Sequence, residues 1–184
     1  MRTALAAALL LFPALARASF DPNSRRYAAP YDVLQTLKRL FPAAPGRVSR
    51  GCSELTESNR AVLGDDSPDT GRPAIAQPSG GFVRWYALCL KEYVDASAGG
   101  AAWPKDLPSS PWSALAKSRR DAILHGEIER LIGPEEVVVG FGAVKNDAEL
   151  IDAIEGSFDG SEDAPAAVRK ARIFLGLRDE FLSY

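Results

Sequence analysis

His125 is the single histidine among 184 residues, and Glu129 stands four positions later. On an α-helix that spacing puts both side chains on one face. An imidazole beside a carboxylate can pass a proton or hold a metal. A catalytic zinc, however, takes three protein ligands, and one histidine cannot supply a His-rich set. His125-Gly126-Glu127 also matches a fragment of a zinc-deaminase signature, but the P-C-x-x-C half is missing. We therefore read His125 as a polar residue at an irregular point of a helix, with no catalytic role and no bound metal.

Other reactive arrangements are equally incomplete. The chain has no G-x-S-x-G elbow for a serine nucleophile. Glycoside hydrolysis needs only two carboxylates across a cleft, and Glu54, Glu57, Glu127 and Glu129 offer the residue type. Nothing in their pattern separates them from solvated helix glutamates. Gly140-Phe141-Gly142 follows a valine run, but Lys145 stands where a dinucleotide fingerprint needs its third glycine. Asp65, Ser67 and Asp69 alternate, as do Asp159, Ser161 and Asp163. Both runs lack the glycine and glutamate that complete a calcium loop, so we read them as acidic turns. No catalytic residue and no cofactor is assigned.

Two tryptophans frame a more specific feature. Trp103 and Trp112 bracket the proline-rich connection Pro104–Pro111. Exposed, they would form a platform for a sugar, peptide or protein; buried, they would pin the connection to the core.

The cysteines depend on compartment. Arg2, an apolar run from Ala4 to Leu15 and the small residues Ala16 and Ala18 form a secretory signal peptide. The run is about half the ~20 residues of a membrane span, so we expect cleavage and no membrane span afterwards. The mature protein would be periplasmic or secreted. There, Cys52 and Cys89 are expected to form a disulfide rather than a metal pair. Cleavage removes two arginines and takes the net charge from −2 to −4. A mildly acidic chain without a basic stretch argues against nucleic acid as a partner.

Helices must position these groups. After a polar arm at residues 19–29, Pro30 opens a helix whose Tyr31, Leu34, Leu37 and Phe41 recur at helical spacing. A short helix over Ser53–Ser58 is expected beside Cys52, followed by the turn-rich run Gly64–Gly71. Ser79 can cap the next helix, whose Phe82, Trp85, Tyr86, Cys89 and Tyr93 share a face. Pro111 opens a further helix running to Ile132. Its Trp112, Leu115 and Ile123 lie about 90° or more from Leu124, Ile128 and Leu131, so it is either buried on two sides or broken near His125-Gly126. Residues 134–145 suit a helix or a strand, and a helix is preferred. Asn146-Asp147 can cap Ala148–Glu155. Pro165 opens the last helix, with Val168, Ala171, Phe174, Leu175 and Leu182 inward and Arg169, Lys170 and Arg172 toward solvent.

The expected fold is all-α: one domain over residues 30–184, with four to five helices and one disulfide-tied irregular loop. The alternative is α+β, with a small sheet near Val137–Val139. The expected role is a non-catalytic interaction or structural module that meets an extracytoplasmic protein or glycan. An exported hydrolase with paired carboxylates is the rival. N-terminal sequencing of the exported protein should begin at Ser19, because Ala16 and Ala18 fit the peptidase and Pro13 ends the apolar helix.

Overall fold

Apolar residues three and four apart give each helix one buried stripe, and these stripes converge on a common core. The computed structural model describes residues 30–44, 46–56, 80–132 and 147–178. Within them lie α1 (Pro30–Leu40), α2 (Arg50–Ser53), α3 (Gly80–Ala96), α4 (Lys117–Leu131), α5 (Asp147–Gly156) and α6 (Ala164–Gly176). No strand occurs among the described residues, which contain only an isolated bridge between Pro111 and Asp163. The all-α expectation holds. The signal segment, the arm at 19–29, Glu57, Gly64–Gly71, Ser79, residues 134–145, Gly140-Phe141-Gly142 and Leu182 all lie outside the described residues, as does the question of a strand at Val137–Val139.

The last helix, α6, is central. It packs against α4 and α3, and less extensively against α5. Its stripe is Ala164, Ala167, Val168, Ala171, Arg172, Leu175 and Gly176, all buried. Small residues let the neighbouring helices approach. At Gly176 an added Cβ would meet the Leu90 side chain of α3 at 2.7 Å. The buried Tyr86 hydroxyl donates to the Gly176 carbonyl at the same crossing, and burial pushes that phenol's pKa up. The stripe holds one surprise: Arg172 is fully buried and does not face solvent.

The segment before α4 departs from expectation. Instead of one helix from Pro111, a single 3₁₀ turn spans Trp112–Ala114. Leu115 and Ala116 are extended, and α4 starts at Lys117. Two backbone bonds hold this turn to the α5–α6 loop and the start of α6, Trp112 N–H to the Glu162 carbonyl and Ala164 N–H to the Ser110 carbonyl. The break therefore falls at Leu115-Ala116, and α4 runs unbroken through His125-Gly126. Part of the phase jump lies here, since Trp112 and Leu115 belong to another element; within α4, Leu124, Ile128 and Leu131 lie on the buried stripe while Ile123 is half-buried on a second face, toward the connection after α3.

The cysteines pair as expected. Cys52–Cys89 joins α2 to α3 with Cα atoms 5.1 Å apart and a sequence separation of 37. The helix beside the bridge is Arg50–Ser53, earlier than expected, and it contains Cys52 itself. Two further bonds fasten that turn to α3. Trp85 Nε1 donates to the Gly51 carbonyl at 2.8 Å, and Ser49 N–H donates to Glu92 at 2.8 Å. With the turn fixed there, the chain leaves extended at Glu54 and the helix stops.

The bridge closes a loop whose removal from the unfolded ensemble is worth about 4 kcal/mol in the chain-entropy description. Cys52→Ala/Cys89→Ala should lower the urea-unfolding free energy by about that amount. Adding reductant to the parent chain should reproduce most of the loss and should not change the variant.

Candidate functional site

Two opposite charges sit in the apolar stripes of two packed helices. On α4 the stripe is Leu124, Glu127, Ile128 and Leu131, and on α6 it includes Arg172. A lone buried charge is costly, so each needs the other. Arg172 Nε donates to Glu127 Oε2 at 2.8 Å and its Nη2 donates to Oε1 at 2.9 Å, a two-pronged contact. Burial lowers the Arg172 pKa and the Glu127 carboxylate opposes that; the guanidinium remains charged.

Other elements gather around this pair. Arg130, one turn along α4, also donates to Glu127 Oε2, at 3.0 Å. Its Nη1 reaches the Leu40 carbonyl at the end of α1 at 2.9 Å, and its guanidinium lies 5.6 Å from the Phe41 ring centre. Arg172 Nη2 bonds the Ala102 carbonyl at 2.5 Å, and its guanidinium lies 4.3 Å from the centre of the Trp103 ring. One carboxylate thus connects α1, α4, α6 and the connection after α3.

Above the pair is an open groove of about 410 Å³ between that connection and α4. Trp103, Leu107 and Ile123 line it with Lys105, Arg119 and Arg130, and Glu127 forms part of its floor. The connection is shaped locally by Asp106, a non-glycine residue in the left-handed region at φ 60°. Aspartate tolerates that conformation better than most side chains.

The structure separates the two candidate platform residues. Trp103 is half-buried and walls this groove. Trp112 is buried and borders a different cavity of about 370 Å³. There its Nε1 donates to Glu155 at 3.0 Å, Arg120 pairs with the same carboxylate at 2.7 Å, and Phe158 meets it edge to face. The pair does not form one continuous platform.

The remaining candidates have structural partners. His125 is half-exposed, and its Nδ1 lies 2.6 Å from Asp147 Oδ2 at the start of α5. Its partner is thus Asp147 on α5, and among the described residues no hydroxyl or thiol donates to it. Glu129 is exposed, and Glu54 pairs with Arg50 within α2. Glu127, read from sequence as a solvated glutamate, is buried because Arg172 and Arg130 satisfy it. The Asp159–Asp163 loop aims its oxygens at protein donors. Asp163 caps α6 by accepting the Ala166 N–H, and Asp159 accepts from Ser161 and pairs with Lys170. Those contacts hold the Asp159 carboxyl well below the usual carboxylate range. Among the described residues no three His, Cys, Asp or Glu side chains converge as a metal site.

No family model, curated protein or solved structure matches this chain.

Removing Glu127 leaves Arg172 buried and charged without its carboxylate. Glu127→Ala should therefore cost about 3–5 kcal/mol in urea unfolding. Glu127→Leu with Arg172→Met replaces both charges by apolar groups of similar size and should recover most of that loss.

Proposed function

We propose that this chain works outside the cytoplasm as a non-catalytic interaction module, with the groove between the Ala101–Leu107 connection and α4 as its contact surface. One observation carries the reading. The acidic group at the groove floor, Glu127, has both oxygens occupied by guanidinium donors from Arg172 and Arg130. Such a carboxylate is committed to holding helices in place and is poorly placed to exchange protons with a substrate. The walls offer an indole face, two aliphatic side chains and cationic groups, which are binding chemistry.

The extracytoplasmic placement draws on three supports. The sequence of residues 1–18 fits a cleaved signal, Cys52–Cys89 is paired, and among the described residues no helix is long and apolar enough to cross a membrane. The partner is an extracytoplasmic protein, with a glycan as the competing ligand class.

A photo-crosslinking residue at position 123 tests this in producing cells. It should give a discrete adduct with an extracytoplasmic protein, and Trp103→Ala in the same chain should remove most of it. Adducts confined to cytoplasmic proteins would overturn the placement. The rival hydrolase reading would replace this one if the purified chain turned over glycoside, ester or peptide substrates and Glu129→Gln abolished that turnover with folding intact.

A further inference from the structure

We infer that the groove receives an acidic segment of a partner protein, with carboxylates against Lys105 and Arg119 and an apolar side chain between Trp103, Leu107 and Ile123. This rests on the interaction reading above and supplies its chemistry. The argument begins with charge. The whole chain carries −2, yet the groove walls bring Lys105, Arg119 and Arg130 together over a floor whose single carboxylate already has Arg172. The cations outnumber the acid, so the groove is locally positive on an acidic protein. Acidic ligands are drawn to such a surface and basic ones are repelled.

The cations also differ in what they are free to do. Arg130 is committed to Glu127 and the Leu40 carbonyl. Lys105 and Arg119 are exposed and form no ion pair among the described residues, whereas Lys117 and Lys91 on neighbouring surfaces pair with Asp121 and Asp95. The fully buried Arg172, packed against the Trp103 ring, has an Nη1 with no hydrogen-bond partner among the described residues. Arg172 and Arg130 share the single Glu127 carboxylate, two cations to one anion, so the charge beneath the groove is net positive.

The apolar walls select the class of acid. Trp103 is fixed over Arg172 and cannot turn away without losing that contact. With Leu107 and Ile123 it makes a slot suited to an aromatic or aliphatic side chain. An acidic glycan would present rings of hydroxyls that seek acceptors as well as donors. Lys105 and Arg119 only donate, and the acceptor on the floor, Glu127, is occupied. A peptide with carboxylates flanking an apolar side chain matches both the charges and the slot. The peptide could come from a partner's loop or its C-terminus, and both present the same carboxylate chemistry.

The test pans a displayed library of random peptides against the full, disulfide-bonded chain. Enriched peptides should combine Asp or Glu with Trp, Phe, Leu or Ile. Their affinity, by fluorescence anisotropy with the labelled synthetic peptides, should fall about tenfold or more in Lys105→Glu/Arg119→Glu. It should also fall with rising salt. Both substitutions are on exposed side chains, and circular dichroism with an unchanged unfolding midpoint checks that the fold persists. Enrichment of basic or neutral peptides, no enrichment, or acidic binders indifferent to the double substitution would each overturn the proposal. So would stronger retention of the chain by heparin or by phosphatidylglycerol vesicles than by the enriched peptides. If the position-123 adduct persists while acidic peptides fail, the acidic chemistry is wrong and the interaction module stands. If both fail, the module reading falls with it.

Discussion

The carboxylate of Glu127, buried between two arginines, is the contact on which this arrangement of helices turns. It accepts from Arg172 of α6 and from Arg130 of its own helix. The two guanidinium groups then reach the Ala102 and Leu40 carbonyls on either side. A buried ion pair is weak support for stability as such, because stripping water from both groups offsets most of their attraction. Its effect on register is sharper. Sliding α6 by one turn would set Val168 or Gly176 opposite Glu127, leaving Arg172 buried without its carboxylate and Glu127 with Arg130 alone. The close approach of Leu90 to Gly176 and the charge pair both match this one register.

The disulfide acts on a different state. Cys52–Cys89 restricts the unfolded chain, which otherwise has to close a long turn-rich loop before α2 can meet α3. The Trp85 and Ser49 bonds around it then set the angle of the α2 turn in the folded state. Cross-link and ion pair thus divide the work. One limits the alternatives of the open chain, and the other limits those of the packed helices.

Much of this was legible in the sequence, and the failures share a cause. Helical spacing located α1, α3 and α6, and compartment reasoning paired the cysteines. The burial of Arg172 and Glu127 is not legible from residue type, because a charged side chain ordinarily faces solvent and only its position on the helix says otherwise. In α6, the positions 164, 167, 168, 171, 172, 175 and 176 form one unbroken stripe, and Arg172 lies on it. In α4, the positions 124, 127, 128 and 131 do the same with Glu127. An acid on one apolar stripe and an arginine on another is a readable sign of a buried pair. The break at Leu115-Ala116 had a weaker signal. It depends on two backbone bonds, Trp112 N–H to the Glu162 carbonyl and Ala164 N–H to the Ser110 carbonyl, which join residues about 50 positions apart in sequence. No local pattern carries that information.

The groove inherits its shape from the same pair. Trp103 sits where it does because a buried guanidinium lies 4.3 Å beneath its ring, and that guanidinium is fixed by Glu127. The wall of the proposed contact surface is therefore held by the core and would not have to be ordered by a ligand. Side chains immobilised in advance lose less entropy on binding, so more of each contact survives as affinity. Lys105 and Arg119 stand on the opposite terms: exposed and long, they would attract the proposed acidic partner at range and adapt on contact. A rigid aromatic wall with adjustable cations at its edge separates shape selection from charge selection. The first comes from residues that the fold cannot change without losing its register, and the second from residues that the fold does not need.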